Sequence, residues 1–182
     1  MKFEPIRTKD KLGLEIELRS ADASDADSLI SYLKTTATET PYLVREPEEV
    51  TLTTAREQDY IRSIACSENE LMLIASENGK LMGSCSLMSA GRYFRYRHRC
   101  QVAIALYKEY WGRGVGEIMM ETVLDAAKSV GYEQAELEVI AGNEKAIALY
   151  EKLGFERVGA LPDNMKYKDG SYADSYCMMK KL

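Results

Sequence analysis

Two kinds of hydrophobic periodicity follow one another along the chain, and their order predicts its elements. Residues 14–20 alternate apolar and charged side chains, which is the period of a half-buried strand. Residues 26–33 and 54–67 repeat apolar positions every three or four residues, as amphipathic helices do. Between these helices, residues 40–54 are largely polar and contain two prolines. We therefore expect a strand, two helices and, between the helices, a loop that could be a substrate lid.

The middle of the chain predicts a run of strands. Residues 71–75 and 80–90 are strand-like, and the Asn78-Gly79 pair between them is the strongest short signal for a hairpin. A further strand is expected at residues 99–106, whose last five residues are all apolar, as in a strand covered on both faces.

The last third of the chain returns to alternating helices and strands. Residues 115–130 have an apolar stripe with charges opposite, and residues 134–140 alternate apolar and acidic side chains. Asn143 can cap a short helix. Two more strands are expected at residues 155–161 and 172–179. Because neither a linker nor a repeat interrupts these elements, we expect a single domain over residues 1–182.

Residues 110–116 read Tyr-Trp-Gly-Arg-Gly-Val-Gly, with glycine at every second position directly before a helix. Glycine lets a turn take positive φ and brings backbone amides close to a ligand, and the start of a helix adds further unpaired amides. The chain contains no Gly-Lys-Ser/Thr ending of a P-loop, and Glu117 stands where a dinucleotide fingerprint would need glycine. Two interpretations stay open: a cradle for an anion, or simply a tight turn between a strand and a helix.

Composition narrows the classes of function. The 29 acidic residues outnumber the 24 Lys and Arg, which argues against a general nucleic-acid binder. Residues 92–99 interleave arginines with aromatic rings, and we interpret them as an exposed hairpin or a dimer edge. The four cysteines are scattered and His98 is the only histidine, so no metal site is expected. Residues 1–13 lack the apolar core of a signal peptide and no apolar run could span a bilayer, so a cytoplasmic location without membrane contact is expected.

Three segments together resemble the GCN5-related N-acetyltransferase (GNAT) superfamily: residues 102–116, residues 143–155 and residues 169–174. With the N-terminal strand and two helices, the likeness extends over nearly the whole chain. It implies a mixed α/β fold with a central, mostly antiparallel sheet of about six to seven strands and about four flanking helices. The sheet is expected to splay between two parallel strands, here residues 100–106 and 134–140.

The resemblance also implies a cosubstrate, acetyl-CoA, and no metal. Its pantetheine would pair with residues 104–106 and its diphosphate would lie on residues 112–116. The cofactor-binding residues implied in this way are Ile104, Ala105, Leu106, Trp111, Gly112, Arg113, Gly114, Val115, Gly116, Asn143 and Tyr150. Trp111 departs from the Gln or Arg usual at the start of the family loop, so a side-chain contact to phosphate is not expected there.

The implied activity is direct transfer of acetyl from acetyl-CoA to a primary amine in a ternary complex. Tyr150 is the candidate general acid, or else a core tyrosine. Some relatives carry a glutamate base where this chain has Gln101, so we assign the base role to Glu138, which could equally be a solvated strand residue, with ordered water as another route for the proton. The alternative function is an inactive CoA-binding sensor. The acceptor, a small amine or a peptide N-terminus or lysine, is left open, as is a homodimer.

Overall fold

A single eight-stranded sheet organises the protein, and the computed structural model describes all residues, Met1–Leu182. The strands are β1 (Ile6–Lys9), β2 (Glu15–Ser20), β3 (Leu71–Glu77), β4 (Lys80–Ser89), β5 (Arg99–Leu106), β6 (Gln134–Ile140), β7 (Glu156–Lys166) and β8 (Tyr172–Lys181). The helices are α1 (Ala26–Glu39), α2 (Thr54–Cys66), α3 (Val115–Ser129) and α4 (Glu144–Lys152). The strand order is β1-β2-β3-β4-β5-β6-β8-β7.

The sheet opens between its two central parallel strands. Every neighbouring pair is antiparallel except β5 and β6. The parallel pairing runs only from Arg99 opposite Gln134 to Gln101 opposite Glu136, although both strands continue beyond it. The carboxyl ends of β5 and β6 therefore diverge and leave a gap in the sheet. The predicted mixed fold, with its parallel pair and splay, is confirmed.

The two faces of the sheet carry different helices. Met119 and Val123 of α3 belong to one buried cluster together with Leu73 of β3. Tyr32 of α1 packs in a second cluster with Ile74, the next residue of the same strand. Successive strand residues point to opposite faces, so α3 lies on one side of the sheet and α1 on the other. The gap between β5 and β6 is thus held open inside a well-packed layered core.

The sheet has eight strands, where six to seven were expected. The additional strand, β1, is an edge strand whose residues are mostly exposed, so it lacks the alternating burial that a periodicity search detects. β7 also extends beyond residue 161, with a bulge near Asp163 (φ 52°). The expected Asn78-Gly79 hairpin is confirmed, and both residues have positive φ, 50° and 79°.

Two further features concern the surface. Residues 91–98 form an exposed loop between β4 and β5. In this loop Phe94 is 75% exposed, and the centroid of its ring lies 4.4 Å from the guanidinium carbon of Arg97. None of the four helices combines the length and the apolar character needed to cross a bilayer.

Candidate active site

The glycine-rich segment presents a row of unpaired backbone N–H groups. The amides of residues 112–117 donate to no carbonyl or side chain of the protein, and the first residue of α3 follows Gly114 without a side-chain cap. Unpaired amides at a helix N-terminus also lie at the positive end of the helix dipole. Six successive donors of this kind are suited to the oxygens of a phosphate or diphosphate.

The conformation of this segment requires glycine at defined positions. Gly112 has φ +77° and Gly114 has φ +82°, both in the left-handed region that other residues avoid. Gly116 lies outside that region, and an added Cβ there would make ordinary contact with the Leu106 and Leu149 side chains at 3.5 Å. Gly112 and Gly114 thus set the turn, and the start of α3 packs beside β5 and α4.

Arg113 faces away from the cleft and braces the segment. Its Nε lies 2.6 Å from a carboxylate oxygen of Asp10, whose side chain is fully buried, and its guanidinium also pairs with Glu77. Burial acts to raise the pKa of Asp10, but hydrogen bonds from the Leu14 and Leu12 amides and from Arg113 outweigh it, so the pKa is lowered. Arg113 was predicted to bind the cofactor; only its backbone N–H remains free to do so.

The neighbouring predicted residues have similar supporting contacts. The Trp111 indole donates to the carbonyl of Leu106 at 3.0 Å, which fastens the segment to the end of β5, and its ring also lines the cleft. The side chain of Val115 is fully buried in the core below α3. Asn143 caps α4 by accepting a hydrogen bond from the Ala146 amide at 3.3 Å, as its position predicts.

The backbone of β5 offers further hydrogen-bonding groups to the gap. The His98 carbonyl accepts a hydrogen bond from the Gln134 amide of β6 at 3.2 Å. The backbone N–H and C=O groups of the even-numbered residues of β5 therefore point toward β6. Ile104 and Leu106 have the same direction, beyond the last paired residues of the two strands. Ala105 faces the other way, and its carbonyl accepts from a tyrosine hydroxyl on α1 at 2.8 Å. An extended ligand could pair with the free backbone groups of Ile104 and with the N–H of Leu106, whose carbonyl already accepts from the Trp111 indole.

These parts meet in one cleft of about 570 Å³. It runs from the glycine-rich segment, along β5, to α4, and 11 of its 21 lining residues are hydrophobic. The predicted residues that line it are Ile104, Ala105, Leu106, Trp111, Gly112, Gly114, Gly116, Asn143 and Tyr150. A long ligand with a phosphate group at one end and an apolar arm fits this distribution of amides and apolar side chains.

Tyr150 brings a protonated phenol to the cleft. It is only 7% exposed, and burial, followed by the nearby Cys85 thiol, raises its pKa well above the ordinary value. The hydroxyl forms no hydrogen bond within the protein. Because every side-chain polar atom that is sealed from solvent has a hydrogen-bond partner, the unpaired Tyr150 hydroxyl is accessible from the cleft. The phenol is therefore a proton donor at neutral pH that is free to contact a ligand.

Glu138, the candidate base, and Gln101, which stands where some relatives have a glutamate base, both lie outside the cleft lining. The Glu138 carboxylate accepts hydrogen bonds from the Ser175 hydroxyl at 3.0 Å and from the Asn164 amide group, and it is exposed. Gln101 is exposed on β5 beside Glu136. No set of three or more His, Cys, Asp or Glu side chains is arranged to hold a metal ion.

The structure adds cleft residues that the sequence pattern did not indicate. Tyr42, in the loop considered as a lid, donates its hydroxyl to the carbonyl of Gly142 at 2.9 Å and thereby connects that loop to the start of α4. Lys11, Lys145 and Lys152 also line the cleft. Exposed lysines follow no periodicity, so only the folded chain shows that these three line one cleft, with Lys11 and Lys152 paired to Glu117 and Lys145 over the Trp111 ring.

Comparison with known proteins gives this geometry a context. A sequence model of the acetyltransferase (GNAT) family matches residues 33–155. A GNAT-family acetyltransferase from Streptococcus pneumoniae is 28% identical, with a TM-score of 0.87, and the match covers 92% of this chain and 99% of that chain. The yncA protein of Salmonella typhimurium, solved with its cofactor acetyl-CoA, shares the fold with 19% identity and a TM-score of 0.80, covering 92% of this chain and 94% of that one.

Among curated sequences, the N-alpha-acetyltransferase RimI of Mycobacterium tuberculosis is 34% identical over 107 residues, 58% of this chain and 63% of that protein. The chain spans less than two thirds of the length of the first curated relatives that it matches.

Proposed function

Because the chain belongs to the acetyltransferase (GNAT) family, we propose that it transfers the acetyl group of acetyl-CoA directly to a primary amine within a ternary complex. One observation carries the proposal: a single cleft is lined both by the glycine-rich segment, whose six amides at residues 112–117 are unpaired, and by the unpaired phenol of Tyr150. The first group suits the diphosphate of acetyl-CoA, and the second suits a leaving thiolate. The free edge of β5 between them suits the amide groups of the pantetheine arm.

The chemistry asks little of the protein, since a thioester is already activated. The neutral amine forms a bond to the carbonyl carbon, the carbon–sulfur bond breaks, and the sulfur takes a proton. Tyr150 supplies that proton in our proposal. Its raised pKa keeps the phenol protonated at neutral pH, and the phenolate formed is strongly basic and recovers a proton from solvent. Direct attack requires no enzyme nucleophile, and none of the four cysteines lines the cleft.

The amine must also lose a proton, and two routes enter the proposal. The carboxylate of Glu138 could accept it, or ordered water could carry it to solvent. Glu138→Gln separates the two routes, because the variant keeps the size of the side chain but removes the base. A fall in turnover of at least tenfold would support the carboxylate, and an unchanged rate would assign the proton to water.

The acceptor class is tested by a panel. The RimI relative is by its name an N-alpha-acetyltransferase, and a 22% identical relative from Escherichia coli is named L-amino acid N-acyltransferase MnaT. Peptides with a free N-terminus, free amino acids, lysine peptides and polyamines should therefore be compared. Thiol release from acetyl-CoA, measured with and without each amine, gives the rate.

The same assay tests the role of Tyr150. We expect Tyr150→Phe to lower turnover by roughly 10²- to 10⁴-fold, the range of a general acid, without weakening CoA binding. Wild-type turnover in this variant would remove Tyr150 from the mechanism. If the wild-type protein binds CoA tightly but releases no thiol with any amine, the protein is instead a CoA-binding sensor, an alternative that Gln101 keeps open because some relatives carry a glutamate base at that position.

A further inference from the structure

A group of charges at the start of α3 is not used by the proposed chemistry. The carboxylate of Glu117 lies 2.5 Å from the ammonium of Lys152 and 3.4 Å from that of Lys11. Lys152 is on α4, and Lys11 is in the turn between β1 and β2. All three residues line the cleft, so its outer end is built from three elements that are far apart in the sequence.

The turn that carries Lys11 is fastened to the glycine-rich segment. The Lys11 amide donates to the carbonyl of Arg113 at 2.9 Å, and the adjacent Asp10 holds the Arg113 guanidinium. The aliphatic stem of Lys11 lies directly over Gly114, where an added Cβ would come within 2.9 Å of it. Lys11 is therefore positioned over the unpaired amides by its backbone, while its side chain stays 62% exposed.

The local charge favours an incoming anion. Hydrogen bonding to Lys152, outweighing burial and aided by Lys11, lowers the pKa of Glu117, so its carboxylate is ionised at neutral pH. Two ammonium groups share this one carboxylate, and the amides of residues 112–117 add the positive end of the helix dipole. Exposed ion pairs contribute little free energy, so a phosphate can replace Glu117 as the partner of Lys11 at small cost.

We propose that Lys11 is a further ligand for the phosphate groups of acetyl-CoA, supplied by the β1–β2 hairpin and not by the glycine-rich segment. In the absence of a phosphate, Glu117 holds the Lys11 ammonium at the outer end of the cleft. This inference rests on the proposed function, because it presumes that CoA binds in this cleft. It also assigns a binding role to the turn of an N-terminal hairpin whose strand β2 buries Ile16 and Leu18 in the core.

The test is calorimetric titration of CoA into the wild-type protein and three variants. We expect Lys11→Ala to weaken CoA binding roughly three- to tenfold, the range of one charge-assisted contact at a partly exposed site. Lys11→Arg keeps the charge and should bind within about twofold of wild type. Lys9→Ala is the matched control, because Lys9 is an exposed lysine of the same hairpin that forms no ion pair, and it should leave binding unchanged.

Truncated ligands then locate the phosphate. If the Lys11→Ala loss persists with dephospho-CoA, Lys11 contacts the diphosphate; if it disappears, Lys11 contacts the 3′-phosphate. Either result supports the proposal. S-acetyl-pantetheine, followed by ligand-observed NMR, has no phosphate, so an equal loss there would show a merely structural role and overturn the proposal, as would unchanged CoA binding in Lys11→Ala. Failure of the wild-type protein to bind CoA would instead refute the proposed function, before any variant is compared.

Discussion

Replacing Gly114 by alanine should weaken CoA binding, because the conformation of the glycine-rich segment depends on a left-handed residue at this position. Gly114 has φ +82°, where a residue with a Cβ costs about 1–2 kcal/mol. The added Cβ would also lie 2.9 Å from the stem of Lys11, which must move aside. If the segment relaxes to relieve this strain, CoA binding must restore the strained conformation. A cost of 1–2 kcal/mol then corresponds to a loss of roughly 5- to 30-fold in affinity.

Gly131 provides the matched control at the other end of α3. It has φ +89°, and a Cβ there would meet nothing within 4 Å. The two glycines are separated by a 15-residue helix, or roughly 22 Å at 1.5 Å per residue. Gly131→Ala should therefore carry a similar backbone cost in folding free energy but leave CoA binding unchanged.

Two measurements on each variant decide the matter. Urea unfolding gives the free energy of folding, and calorimetric titration at a temperature where each variant is fully folded gives the affinity for CoA. The reasoning is refuted if Gly114→Ala binds CoA as wild type does, because the left-handed conformation would then be irrelevant to the cradle. It is also refuted if Gly131→Ala loses as much affinity, because the effect would then be general destabilisation.

Three other predictions concern stability, thiol reactivity and the lid. Burial alone would raise the pKa of Asp10, but its hydrogen bonds lower it, so the stability that the Asp10 carboxylate contributes is present above about pH 4 and is lost as the pH falls further. Asp10→Asn should therefore lower the free energy of unfolding in urea by roughly 3 kcal/mol at pH 7 and by visibly less at pH 3. An equal loss at both pH values would contradict the ion-pair account. Burial raises the pKa of Cys100 to about 12, so a thiol reagent should label the exposed Cys66 and spare Cys100 in the folded protein. The labelled protein should keep its turnover, and a loss of turnover would argue against direct transfer. Tyr42→Phe removes the hydroxyl that donates to the Gly142 carbonyl. Loss of this hydrogen bond, worth about 1 kcal/mol, should raise the acceptor KM about fivefold and speed proteolysis within residues 40–53. If neither quantity changes, the loop does not act as a lid.

The parts that could be predicted from the sequence are those that depend on local spacing. The glycine-rich segment, the strand before it and the cap at Asn143 each lie within a few consecutive residues, and the structure has them where the pattern indicates. The Asn78-Gly79 hairpin is of the same kind, because two successive residues with positive φ decide its geometry. Such features need no knowledge of which distant segments come together.

The parts that could not be predicted depend on pairs that are far apart in the chain. Arg113 was assigned to the cofactor as part of the loop at residues 112–116, and only the fold shows that its side chain pairs with Asp10, 103 residues away, and with Glu77. Lys11 belongs to a segment without periodicity, and Tyr42 belongs to a polar loop whose contact is 100 residues away. A charge or a hydroxyl in the sequence indicates the ability to bind but not the partner, which only the fold determines.

Alternate residues of the glycine-rich segment have different roles: the glycines border the cleft, and the residues between them hold the segment in place. Gly112, Gly114 and Gly116 line the cleft, whereas Arg113 and Val115 do not. A segment whose amides all remain unpaired has no internal hydrogen bonds to hold its shape, so its support must come from outside. Arg113 supplies that support by binding the β1–β2 hairpin, and Val115 supplies it by filling the core beneath α3. A ligand can therefore approach the glycine side closely because every intervening side chain is engaged on the opposite side.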